Sequence, residues 1–421
     1  MRNKIALIFV MSLFSCASSA FNLEQAWQVA IQNNAEVSAL GQERESAAME
    51  VDAAKSAKLP EVSSSAAYTI WDHPSVSVRP GGIKMQVGNR QVATLGLNAR
   101  YILYSGGAVE NSIKSAEENY AATGDSISIW KSKLKLAVGE IYINILRAEK
   151  LLSVAQSHIE GLQSHYGDVQ ALRKQGMASK SDQLTVEVAL ANARQKKLQI
   201  ENNLQQAFAA LNYRLGKPQD KQYKLQQLQF AESATGLNEY IKKAVAERVE
   251  IEQLEKVGRG INYNADVVAA SAKPNLFVGA DYGYQENDYV EHEGRFSVSV
   301  GVSWKLFDGN QAKLKKAALL KKSMAVNDRI ADVKNAIALE VRSAWLQKQD
   351  CRKRIEVTES AIELAQENLK NLRIKYKAGV ATPSEVLDAE TQLEESKTNY
   401  FNAVFDANLA ELRLQYAVGA L

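Results

Sequence analysis

Residues 107–175 and 310–377 form two runs of about 70 residues that contain no proline and stay helix-compatible throughout. At about 1.5 Å per residue, each run makes a helix of about 100 Å. That is far beyond a helix of an ordinary globular domain. Within the second run, Ile355, Thr358, Ile362, Ala365, Leu369, Leu372 and Tyr376 repeat at 3-4-3-4 spacing, the seam of a coiled coil. From Val386 to Leu414 the same rhythm continues through Ala389, Leu393, Ser396, Tyr400, Ala403, Ala407 and Ala410. Its small residues let neighbouring helices approach closely. Shorter helices of about 35 residues are expected over Leu23–Lys58 and Lys180–Tyr213, so that two of them end to end match one long helix.

The two long runs belong to two copies of one design. "KQGMASKSDQLTVE" from Lys174 reappears as "KAGVATPSEVLDAE" from Lys377, with Gly176 on Gly379, Ser181 on Ser384 and acids at Asp182 and Glu385. The same offset of 203 residues sets "YSGG" at Tyr104 on "FDGN" at Phe307, and "LNYRLG" at Leu211 on "LQYAVG" at Leu414. Upstream the offset is 214: Leu23 falls on Leu237, "NAEV" at Asn34 on "RVEI" at Arg248, and Pro60 on Pro274. A tandem duplication with extra residues between Pro60 and Tyr104 accounts for both offsets. A period this long means two large units rather than a solenoid. The expected organisation is a leader over 1–20, a first repeat over 21–215, a link over 216–236 and a second repeat over 237–421.

Each copy also carries a β-hairpin, expected over 61–103 and 275–307. Phe296, Val298, Val300, Val302 and Trp304 alternate with Ser297, Ser299, Gly301, Ser303 and Lys305. Period-two alternation over ten residues marks a strand with one apolar and one polar face. Leu95, Leu97, Ala99 and Tyr101 keep that parity in the first copy, and the partners start at Glu61 and Asn275. The connection "DHPSVSVRPGGIKMQVGN" reads as a polar loop. Such strands, ending in Trp71, Tyr101, Tyr284 and Trp304, fit an outer-membrane barrel. Four strands cannot close one, and open edges do not exist in lipid, so a membrane barrel would need several chains.

The N-terminus reads as a secretory signal: Arg2 and Lys4, an apolar run from Ile5 to Phe14, then Ser18-Ser19-Ala20. "LFSC" at Cys16 also resembles a lipoprotein cleavage box. Past the leader, Cys351 is the only cysteine, so no internal disulfide staples the chain, and its seam position makes it a packing thiol. Lys and Arg number 51 against 48 Asp and Glu, a balance that gives no electrostatic case for nucleic acid. No phosphate loop, dinucleotide fingerprint or HExxH occurs. His158 and His165 share a helix face but have no evident third ligand. No cofactor, metal or enzymatic activity is expected.

In this order and spacing, the duplicated halves, the two hairpins, the "LFDGN" strand-to-helix turn and the "KAGVATPSEVLDAETQL" hairpin turn resemble the TolC family of outer-membrane export channels. The resemblance covers essentially the whole chain past the leader. It implies a mainly α fold with β: a long coiled-coil tunnel in the periplasm, plus four strands per chain in a 12-stranded barrel shared by a homotrimer. It also implies docking to a periplasmic adaptor (membrane fusion) protein and an inner-membrane pump of the ABC, RND or MFS type, which supplies the energy.

In the resembled family the tunnel closes where the helix turns converge, with an aromatic, a basic residue and acids at the gate. The matching positions are Tyr376, Glu385 and Asp388, facing Asp182. The basic position holds Ala381, a departure from that pattern, so Lys180 or another residue would have to serve as the latch. Gly176 and Gly379 would end the long helices. Thr382, Pro383 and Glu385 fit a capping box, as do Ser179 and Asp182. Asp388 has no capping duty, which makes it the sharper pore candidate. The competing reading, an exported coiled-coil scaffold without a pore, does not explain the strands. Nothing in the sequence names a cargo.

Overall fold

The computed structural model describes residues 21–228 and 236–421. The expected leader with Cys16, and residues 229–235 of the link, lie outside them. The element order is α1 (Leu23–Asn33), α2 (Ala35–Ser56), β1 (Glu61–Ile70), β2 (Val76–Arg79), β3 (Ile83–Gln86), β4 (Gln91–Tyr104), α3 (Ala108–Lys174), α4 (Lys180–Leu215), α5 (Leu237–Glu247), α6 (Val249–Ala270), β5 (Asn275–Gln285), β6 (Gly294–Ser303), α7 (Gln311–Lys377) and α8 (Pro383–Ala417). Both long helices are 67 residues and keep the 203-residue offset at each end. No described helix is long and apolar enough to cross a membrane.

Two expectations are corrected. The region Leu23–Lys58 is not one helix: Asn34, at φ −76° and ψ 120°, is extended between α1 and α2. Its counterpart Arg248, at φ −69° and ψ 121°, breaks α5 from α6 in the same way. Neither break carries a proline or glycine; the quoted "NAEV" and "RVEI" pair marked the spot without revealing its backbone. The Arg248 side chain turns inward onto Glu250 (2.7 Å) and Glu340 (3.0 Å). The supposed loop between β1 and β4 also contains an antiparallel β2–β3 pair, turned at Gly81-Gly82.

The chain divides into two compact units, each drawing on both sequence copies. The unit of residues 35–130 and 241–340 holds the strands. Its four-stranded antiparallel sheet has the order β1-β4-β5-β6, which leaves β1 and β6 as edges. The register sets Ser63, Asn98, Asp281 and Ser297 side by side on one face. The neighbouring row, Ser64, Leu97, Tyr282 and Phe296, belongs to the other face. That second face carries Leu95, Leu97, Tyr282, Phe296, Val298, Val300 and Val302, all exposed. Alternation therefore yields one polar and one apolar face, and the apolar one has no cover among the described residues. The turn from β4 into α3 uses two left-handed residues, Gly106 and Gly107. The second copy repeats it with Gly309 and Asn310, asparagine being the side chain that best tolerates φ of 66°. Lys256–Asp125 (2.7 Å) and Arg259–Glu118 (2.9 Å) tie α6 to α3.

The other unit, residues 21–34, 131–228, 236–240 and 341–421, is helical. Phe21 forms a parallel bridge to Leu225 and stacks on Tyr223, while the Tyr142 hydroxyl lies 2.8 Å from the Phe21 carbonyl. Along α3, Gly139 and Gly161 let α8 approach: an added Cβ would meet Leu412 at 2.5 Å and the Glu390 carboxylate at 2.6 Å. Cys351 is fully buried, with the Arg354 guanidinium 3.1 Å from its sulfur.

Candidate functional site

The helical unit ends in two hairpin turns, α3 to α4 and α7 to α8. At the first, Met177 N–H donates to Leu172 O (2.9 Å) and Gly176 N–H to Arg173 O (3.0 Å). Val380 to Lys375 (3.0 Å) and Gly379 to Tyr376 (3.0 Å) repeat that pair of bonds in the second copy. This closure needs a left-handed residue, supplied by Gly176 at φ 76° and Gly379 at φ 75°. The return helices then start on capping boxes. Ser179 caps α4 with Asp182, and Thr382 caps α8 with Glu385 and with Pro383 in the first turn.

These caps define what the acids at the turns are doing. The Glu385 carboxylate accepts from Thr382 N–H (2.6 Å) and Oγ1–H (2.9 Å), and those bonds hold its pKa below the ordinary range. Asp182 accepts from Ser179 N–H (2.9 Å) and Oγ–H (2.8 Å). Asp388 lies about one turn beyond Glu385, is exposed and has no capping bond. Lys180 is exposed at the first turn, and among the described residues it forms no ion pair.

Tyr376 differs from the other three gate candidates. It is only 4% exposed and packs with Val169 of α3, Val186 of α4, Leu369 of α7 and Val386 and Ala389 of α8. Its ring meets His165 edge-on at 5.3 Å between centroids. Its hydroxyl is buried without a hydrogen-bond partner among the described residues. Burial first, then the Asp168 and Asp182 carboxylates, push the phenol pKa up. In this chain Tyr376 is a wedge where four helices meet.

Around that wedge lies a polar layer that the seam pattern did not mark. His165 on α3 is buried, and its Nε2 lies 3.0 Å from the Pro383 carbonyl of α8. A carbonyl only accepts, so Nε2 carries the proton. Glu390 and Glu394, one turn apart on α8, are both buried. Arg373 of α7 donates to Glu390, and Lys196 Nζ of α4 donates to Glu394 at 2.9 Å. Glu394 also accepts from Thr398 (3.1 Å). His158 sits near both acids, with its Nδ1 buried and unpartnered among the described residues. Losing a cation partner would leave a carboxylate charged inside the bundle, a change that typically costs about 3–5 kcal/mol. One sequence signal for this layer existed: Gly161, which lies against the Glu390 carboxylate and whose counterpart is Leu364.

Residues 26–217 and 240–420 match the family model described as outer membrane efflux protein, one segment for each copy. The chain is 23% identical to the outer membrane protein TolC of Vibrio cholerae serotype O1 over 440 residues, covering 99% of this chain and 96% of that one. It is 24% identical to the cation efflux system protein CusC of Escherichia coli K12 over 352 residues, covering 80% of this chain and 75% of CusC. Among solved structures, the outer membrane protein VceC of Vibrio cholerae superposes with a TM-score of 0.81 at 16% identity, over 94% of this chain and 96% of VceC. CusC superposes with a TM-score of 0.79 at 18% identity, over 95% of this chain and 92% of CusC.

Proposed function

The chain belongs to the outer membrane efflux protein family, and from that premise we propose that it works as a homotrimeric, passive channel-tunnel gated at its two helical turns. The observation that carries this reading is the sheet. It exposes an apolar face and leaves β1 and β6 unpaired. In hydrocarbon each open edge would strand backbone donors and acceptors at several kcal/mol apiece. Three copies joined β1 to β6 close 12 strands into a barrel, with the row of Asn98 and Asp281 toward the lumen.

The helices support the same assembly. On α3, Ile143 and Val154 lie along the stripe of Gly139 and Gly161 that faces α8, and they are 0% and 6% exposed. Their counterparts on α7, Leu346 and Val357, are 54% and 71% exposed. Leu387 of α8 packs against a cluster built from α3 and α4, whereas its counterpart Leu184 on α4 is 49% exposed. By the logic of the duplication, α4 of a neighbouring chain covers α7 as α8 covers α3. The tunnel then has twelve helical strands, alternating intrachain and interchain contacts.

In such a tunnel Asp388 forms a ring of three carboxylates. The ring favours cations, and Glu385 and Asp182 flank it while capping their helices. The periplasmic partners are an adaptor protein and an inner-membrane pump of the ABC, RND or MFS type. The similarity to CusC and TolC alike fits a general conduit whose cargo is chosen by the pump. Planar-bilayer recording tests the reading. Wild-type trimers should conduct with cation preference, and Asp388→Ala should reduce that preference. Unchanged selectivity would remove Asp388 from the pore, and absence of conductance would remove the channel.

A further inference from the structure

We propose that His165 and His158 form a proton-responsive tie between the two helical hairpins of each chain, holding them together while neutral and loosening them once protonated. The proposal deepens the reading of the turns as a gate.

The tie is built from contacts that cross from one hairpin to the other. His165 of α3 donates Nε2–H to the carbonyl of Pro383, the first residue of α8, and braces the Tyr376 ring of α7. With Nε2 committed, an incoming proton goes to Nδ1. The charged and titratable groups facing His165 are Glu390 from α8, Arg373 and Tyr376 from α7, and Asp168 from α3 itself. Asp182 of α4 faces Tyr376 from the other side. Around His158 stand Glu390 and Glu394 of α8 and Lys196 of α4. Both α8 acids would welcome an imidazolium, but each already holds a cation: Arg373 on Glu390 and Lys196 on Glu394. A further positive charge would be buried beside those two.

Burial accordingly pushes both imidazoles below their ordinary 6.5, as the largest of the causes acting on them. In a parted state the rings are hydrated and titrate at about 6.5. Packed hairpins therefore bind fewer protons than parted ones. The tie is at full strength above about pH 6.5 and weakens as pH falls toward the packed value, by up to about tenfold per histidine for each pH unit. The second copy has nothing equivalent: the counterparts of His158 and His165 are Ala361 and Asn368. Acid therefore acts on the intrachain contact of α3 with α8 and leaves the counterpart face of α7 without a titrating imidazole.

Hydrogen–deuterium exchange of the full-length protein at pH 7.5 and 5.5, corrected for intrinsic exchange, tests the tie on peptides spanning 158–190 and 369–394. Acid should raise opening several-fold there, while peptides from α6 stay unchanged. His165→Gln keeps an N–H donor at the place of Nε2 without a titrating ring. Combined with His158→Gln, it should cut the acid response to less than twofold. An equal acid response in the double variant would overturn the proposal. So would a wild-type protein whose turns exchange alike at both pH values, a measurement that needs no variant. Bilayer conductance is scored separately: a conducting protein with acid-insensitive turns sinks the tie alone, and acid-sensitive turns in a non-conducting protein sink the channel alone.

Discussion

Tyr376→Phe should stabilise the helical turns rather than weaken them. Tyr376 is 4% exposed, and its hydroxyl has no partner among the described residues. A buried hydroxyl left without a hydrogen bond costs about 1–3 kcal/mol. Phenylalanine keeps the ring, its edge contact with His165 and its packing on Val169, Val186 and Leu369. The phenol pKa is pushed up by burial and by Asp168 and Asp182, so it is neutral at physiological pH and the substitution removes no charge. The expected gain is therefore about 1 kcal/mol or more, read as about fivefold slower amide exchange over residues 369–386. Tyr376→Ala is the opposite limit. It removes the ring from a core shared by four helices, costs about 3–5 kcal/mol, and should speed the same exchange by at least about a hundredfold. Faster exchange in Tyr376→Phe would refute the reasoning. It would mean that the hydroxyl holds a bond across a subunit boundary, which is how a gate-latching aromatic would behave.

Two further outcomes follow from single positions. Gly379→Ala forces an alanine to φ 75° where nothing lies within 4 Å of its new Cβ, so the cost is backbone strain of about 1–2 kcal/mol; exchange should rise over 372–385 and remain unchanged in the sheet. Val357→Glu places a charge on the α7 face left open in the chain. Trimers should fall to monomers on non-denaturing electrophoresis, and an unaffected trimer would exclude that face from the interface.

How legible each feature was depended on the kind of physics behind it. The long helices, their seam and the two left-handed turns follow from local rules, and the capped starts at Ser179 and Thr382 could be placed to the residue. Ala365, Leu369 and Tyr376 are buried where the 3-4 rhythm puts them. The breaks at Asn34 and Arg248 were not legible, because each is one extended residue with no helix-breaking side chain. Arg248 is instead fixed from outside, by Glu250 and Glu340. The β2–β3 pair was hidden by its length: four residues per strand are too few to show alternation against Pro80, Gly81 and Gly82. The histidine–glutamate layer was the least legible part. Glu390 sits one residue past seam position Ala389, where a solvated acid is the ordinary expectation. Only the absence of a side chain at Gly161, on a helix more than 200 residues earlier, makes room for it.

That dependence also says what the duplication was free to change. Both copies keep four features that follow from local backbone chemistry: the 67-residue helices, the glycine closures, the capping boxes after those closures and the paired left-handed residues after the strand. They diverge at positions whose neighbours differ. Gly161 faces Glu390 within the chain, while Leu364 at the same helical position stays exposed. His165 answers Pro383, while Asn368 has no such duty. A tunnel built from identical repeats would loosen everywhere or nowhere. In the proposed tunnel, the intrachain contacts carry His165 and buried acids, while the exposed Leu346 and Val357 of α7 are left for interchain contacts, which makes two kinds of seam. The first responds to protons and to loss of an ion pair, and the second responds to neither. In the proposed trimer, only the first would open while barrel and trimer stay intact, the division of labour that gating at the turns would require.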